Sequence, residues 1–162
     1  MTLDTHARRL GGLLGNFQSL EFVLRVYLNS LPGARPFGLP PGTDLYLFPV
    51  GSDLPENDFT SWDSLGQLIT KFNGEMKKKG RDAIDVALVE VRDALAHGRV
   101  STSNPEETLR LIKFDKPKNG RVRVTFNEAM SADWFARQTA SVLEAISLVM
   151  AAGAETGIVD PP

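Results

Sequence analysis

Along most of this chain the apolar residues return every three or four positions, and over one short stretch they return every two. That change of period constrains the fold more than any single motif, because the first spacing builds one face of a helix and the second one face of a strand. A first helix is predicted from about His6 to Ser30, where Leu10, Leu13, Leu14, Phe17, Leu20, Leu24, Tyr27 and Leu28 share a face that Phe22, Val23 and Val26 widen. Gly11, Gly12 and Gly15 cost roughly 1 kcal/mol each against alanine there, and point to a frayed first turn or to a close approach by another backbone. Pro32 ends the helix.

A second helix is expected to open at Thr60 or Ser61, where Thr60 and Asp63 have the spacing of an acidic capping box. It runs through Leu65, Leu68, Ile69 and Phe72 to Lys77, Lys78 and Lys79, which suit the negative end of the helix dipole, and Gly80 stops it. A third, from Asp82 to His97-Gly98, carries Ile84, Leu88, Val91 and Leu95 as a stripe. Val86 and Val89 lie opposite, so contact on two sides is expected. A last helix runs from near Ser131 to about Ala152. Before it the period changes: Thr108–Phe114 and Arg121–Phe126 read as strands, and Asn119-Gly120 between them is a hairpin-turn signal. Val122, Val124 and Phe126 form an apolar face and Arg121, Arg123 and Thr125 a polar one. A lone hairpin is marginal, so the apolar face is expected to dock on the helices. Residues 31–60 hold six of the ten prolines together with several aromatic and aliphatic residues, and are expected to form an ordered cover with a short strand at Leu45–Phe48. The expected fold class is mainly α: an up-and-down bundle of about four helices with a β-hairpin (108–126) inserted before the last, formally α+β if the hairpin is counted. One domain is expected over residues 1–152, with a loose tail at 153–162.

With no cysteine and two histidines, disulfides, thiolate ligands and a cysteine nucleophile are removed together, and a metal or other cofactor is not expected. The N-terminus lacks a signal-peptide pattern and no apolar run approaches membrane length, so a cytoplasmic location without a membrane partner is expected. The formal net charge of −2 argues against a nucleic-acid coat protein, but the charge is uneven. Residues 1–70 carry 4 basic and 7 acidic side chains, residues 71–123 carry 13 and 8, and residues 124–162 carry 1 and 5. An anionic ligand is to be sought in the middle third, the alternative being a solvated face.

Phosphate-binding loops are missing: Gly11-Gly-Leu-Leu-Gly15 has neither a preceding strand nor a lysine. What remains is Arg92-Asp-Ala-Leu-Ala-His-Gly98. On an ideal helix Arg92 lies about 40° from Leu88 and about 80° from Ile84, at the edge of the apolar stripe, where a charge needs a partner. His97 falls at the helix end, before a glycine where the backbone can turn. Five positions apart, Arg92 and His97 diverge by about 140° on a straight helix. They meet only if the helix ends early or a second subunit supplies the partner. A reading without catalysis pairs Arg92 with Glu21 or Glu90 and makes His97 a helix cap. His6 reads as a frayed terminal residue rather than a second catalytic group.

The segment Val91-Arg-Asp-Ala-Leu-Ala-His-Gly98 resembles the signature of HEPN domains, helical bundles that carry an arginine, a neighbouring polar residue and a histidine a few positions on. The resemblance is sharp over about eight residues; the 31–60 loop and the hairpin lie outside the family's common core. It implies a homodimer in which both motifs face one cleft, and metal-independent endoribonuclease activity, as in toxins and defence effectors. Arg92 would stabilise the scissile phosphate and His97 would move the proton, with Asp93 or Glu21 in support. Attack by the RNA's own 2′-hydroxyl would leave a 2′,3′-cyclic phosphate. Arg99, Arg110, Lys113, Lys116, Lys118, Arg121 and Arg123 would guide the RNA. An antitoxin or defence-system partner is the further implication, although the tyrosine that some toxins of the family carry just past the histidine is replaced here by Gly98-Arg-Val-Ser101. The alternative is a non-catalytic HEPN-like module that binds a protein, nucleotide or RNA.

Overall fold

The computed structural model describes residues 2–35, 38–39, 43–44, 47–102 and 108–154. Its elements are α1 (Leu3–Asn29), α2 (Leu65–Lys78), α3 (Ala87–His97), β1 (Arg99–Ser101), β2 (Arg110–Phe114), β3 (Val124–Ala129) and α4 (Ala132–Ala154). The chain is mainly α, with a small antiparallel sheet before the last helix. No helix among the described residues is long and apolar enough to cross a membrane. The expected strand at Leu45–Phe48 lies partly outside the described residues, as does most of the tail. The chain divides into two compact units, residues 1–20 with 84–147 and residues 21–83 with 148–162.

In the first unit, Leu13, Phe17 and Leu20 of α1, Leu88, Val91 and Ala94 of α3, Leu111 of β2, and Trp134, Phe135 and Val142 of α4 are all buried. The α1 helix begins at Leu3 with no fraying at its glycines, and a Cβ added at Gly11, Gly12 or Gly15 would meet nothing within 4 Å. No backbone among the described residues comes close there, so both expectations for that glycine stretch are set aside. His6 is not a frayed residue either: it is 6% exposed and lies edge-on to Phe135, ring centroids 5.4 Å apart.

The α3 helix opens at Ala87 rather than Asp82. The Asp85 carboxylate accepts from the Ala87 N–H at 2.9 Å. An aspartate that satisfies a backbone donor from its own side chain holds the preceding residues out of the helix. Val86, at 62% exposure, is uncovered, so the two-sided contact expected for this helix does not extend to it.

The hairpin becomes a three-stranded sheet, β1-β2-β3, because Arg99–Ser101 pairs with Arg110–Ile112. Its turn is as expected: Asn119 and Gly120 both have positive φ (52° and 71°), and Lys118 pairs with Arg121. The docking residue differs, however. Leu111 is 1% exposed, whereas Val122 and Val124 are 53% and 48% exposed. The register slips between Lys113, which faces Phe126, and Phe114, which faces Val124. A bulge of one residue, here Thr125, moves the side chains beyond it to the other face of the sheet. Val124 therefore shares a face with Phe114 and not with Phe126.

In the second unit, Leu24, Tyr27, Leu65, Leu68, Ile69, Phe72, Met76 and Val149 are buried. The α2 helix starts at Leu65, five residues after Thr60. Asn57 Oδ1 accepts from the Phe59 and Thr60 N–H groups at 2.8 and 2.9 Å, and Asp63 is bonded to Lys71 at 2.6 Å. With both members of the expected box engaged elsewhere, Ser64 caps the helix and closes a box with Gln67. Lys77 and Lys78 do occupy its last turn, and Gly80 follows with φ +63°.

Candidate functional site

The burial of Leu88, Val91 and Ala94 fixes how α3 is rotated, and with it the residues beside that stripe. Arg92 and Asp93 are half-buried, while His97 is exposed in the last turn. Arg92 Nη1 lies 3.3 Å from Asp93 Oδ1, and Lys113 Nζ lies 3.9 Å from Asp93 Oδ2. The Asp93 carboxylate thus stands between two cations and ties α3 to β2. Lys113, expected on an RNA wall, is turned toward this carboxylate on the packed side of the sheet.

The helix is regular through His97, so the condition of an early helix end is not met. Within one chain Arg92 and His97 point about 140° apart. Glu21 belongs to the second unit.

Gly98 is required by close approach and not by a special turn. Its φ is −79° and its N–H donates to the Ala94 carbonyl at 2.7 Å. An added Cβ would run into that carbonyl, into Leu111 Cδ1 at 2.8 Å and into the Ile112 carbonyl oxygen at 3.0 Å. The end of α3 thus presses against β2, and β1 starts at the next residue.

This junction sets His97 beside the sheet. His97, Arg99, Phe114, Asp115, Pro117 and Val122 line a pocket of about 230 Å³. The Arg99 guanidinium stands over the Phe114 ring, 5.2 Å from its centroid. Arg110 bonds Asn127 Oδ1 at 3.0 Å on the same face. Lys116, Lys118, Arg121 and Arg123 are exposed around the turn. Of the expected RNA-guiding residues, Arg99, Arg110, Lys116, Lys118, Arg121 and Arg123 thus belong to the outer side of the sheet and its hairpin loop. No cluster of three or more histidine, aspartate or glutamate side chains suited to a metal ion occurs among the described residues.

Sequence reasoning did not single out Phe114, Asp115, Pro117 or Val122 as site residues. Arg99 and Phe114 are brought together by the β1–β2 pairing. The only sequence signal for that pairing is the short Arg99-Val-Ser101 run after Gly98.

Compared with known proteins, the chain matches no family model, no curated protein and no solved structure.

Proposed function

We propose that this protein is a metal-independent endoribonuclease in which His97 transfers the proton. The observation that carries the reading is a single pocket bordered by an exposed histidine and an arginine, His97 and Arg99, at the foot of a basic hairpin. Histidine titrates where it can accept the 2′-hydroxyl proton or return one to the leaving oxygen. Arginine offers a planar fork of donors to the phosphate whose charge grows in the transition state. In this reading Arg99, which lines the same pocket as His97, offers that fork within one chain. Arg92 serves that phosphate from a second copy, as the resemblance to HEPN domains implies.

The test is cleavage of a mixed RNA substrate in EDTA by wild type, His97→Ala, Arg99→Ala and Arg92→Ala, with folding and oligomeric state checked for each. The expected result is cyclic-phosphate ends from the wild type and a loss of about 100-fold or more in His97→Ala. Loss in Arg92→Ala, restored by mixing it with His97→Ala, identifies a site shared between two copies. No cleavage by the wild type, or cleavage that survives His97→Ala, overturns the proposal.

A second reading, RNA binding without cleavage, is favoured by one feature: the half-buried Asp93 carboxylate already engages Arg92. Wild-type binding with no cleavage under the same conditions would establish it.

A further inference from the structure

The strand register sorts the sheet residues into two faces. Leu111 and Lys113 of β2 point to α3, the first buried and the second beside Asp93. Arg110, Ile112 and Phe114 therefore point the other way. Their cross-strand partners extend that face: Arg99 and Asn127 lie level with Ile112, and Val124 lies level with Phe114. The outer face of an antiparallel sheet usually carries polar side chains. Here an apolar row of Ile112, Phe114 and Val124 runs between arginines, and Val124 is 48% exposed. Residues 110–123, which supply β2 and the turn, carry six basic side chains against one acidic, Asp115.

We propose that this face is a stacking platform for single-stranded RNA. Bases lie on the Arg99–Phe114 pair and the apolar row beside it, and phosphates follow Lys116, Lys118, Arg121 and Arg123. The inference rests on the RNA reading above and adds how the substrate is held. Charge and shape together select the occupant. Flat apolar groups beside a dense set of cations match a polyanion whose base faces are open. A duplex offers the phosphates but keeps its base faces stacked inside. A base seated on Phe114 brings its neighbouring phosphate to the pocket that His97 borders.

The experiment uses a fluorescent 2′-O-methyl oligoribonucleotide of mixed sequence. It lacks the free 2′-hydroxyl needed for cleavage, so binding is read apart from chemistry. Anisotropy in EDTA is measured for the wild type, for Phe114→Leu and for Val124→Glu; both positions are at least partly exposed, and circular dichroism checks the fold. Each variant is expected to bind about tenfold more weakly than wild type, and a duplex of the same sequence is expected to compete at least about tenfold less well than the single strand. The platform is overturned by wild-type affinity in both variants, by no binding to the wild type, or by equal competition from duplex. Tighter binding of single-stranded DNA overturns RNA as the occupant. The same proteins on unmodified RNA separate the two proposals. Weakened binding in the variants with no cleavage by any protein leaves the platform standing and removes the nuclease; cleavage with unchanged binding does the reverse.

Discussion

At the scale of single residues, His6 bears most directly on stability. Its side chain is buried against Phe135, and its Nδ1 has no hydrogen-bond partner among the described residues. Burial lowers its pKa below the ordinary value of 6.5, because a charged imidazole would lose its hydration there. Folding therefore favours the neutral imidazole, whose contribution to stability is complete above pH 6.5. It is lost as the pH falls from there through the lowered folded value, since the unfolded chain takes up the proton first. Replacing His6 with Leu keeps an apolar group beside Phe135 and removes both the titration and the unsatisfied nitrogen. Urea titrations of the two proteins at pH 7.5 and pH 5 should show wild type losing more stability than His6→Leu over that interval. At pH 7.5 the variant should be more stable by about 1 kcal/mol, from the unsatisfied nitrogen alone. Parallel pH profiles would mean that His6 is solvated in the native state. Sequence alone could not place this residue, because a histidine five positions from a chain start reads as terminal until the helix is known to begin at Leu3.

At the scale of elements, the sequence pattern carried the four helices and the Asn119-Gly120 turn, and was weakest wherever one side chain could serve two local structures. Thr60 and Asp63 have the spacing of a cap, but Asn57 and Lys71 engage them and the helix waits for Ser64. Asp82 begins an acceptable helix in spacing, but Asp85 bonds the Ala87 N–H and delays it. The β1 strand escaped because three residues give no measurable period, and its partner lies nine residues or more along the chain. The α3–β2 junction was legible only as a glycine. What the sequence suggests as freedom to turn is a lack of room: Leu111 Cδ1 and the Ile112 oxygen close around Gly98. Gly98→Ala should therefore destabilise the fold by about 2 kcal/mol or more, as overpacking against backbone does. It should also displace His97 from Arg99 and Phe114. Thermal unfolding checks the first effect. The His97 imidazole resonances check the second, and a variant with unchanged stability and shifts would mean that the junction relaxes without cost.

At the scale of the whole molecule, a net charge of −2 conceals two basic clusters of different kinds. Lys77 and Lys78 close the last turn of α2, Lys78 pairs with Glu75 at 2.6 Å, and Lys79 donates to the Tyr27 hydroxyl at 3.2 Å. Their positions have a complete local explanation in the helix dipole and these contacts. Lys116, Lys118, Arg121 and Arg123 surround a two-residue turn and form no ion pair among the described residues, so no comparable local role accounts for them. If RNA follows the hairpin, only the second cluster releases counterions on binding. For a single strand the slope of log K against log salt is about −0.7 per phosphate neutralised. Five contacts, from Arg99 and the four hairpin cations, would give about −3.5 for the wild type, and the double variant Lys118→Ala/Arg121→Ala about −2. Lys77→Ala/Lys78→Ala removes the same charge from the molecule and should leave the slope unchanged. Anisotropy titrations with the 2′-O-methyl strand between about 50 and 200 mM salt, the range over which such slopes are read, make the comparison. Equal reductions in the two double variants would mean that the chain attracts RNA through its overall field, with no track on the hairpin. A reduction confined to the Lys77/Lys78 variant would move the RNA to the second unit.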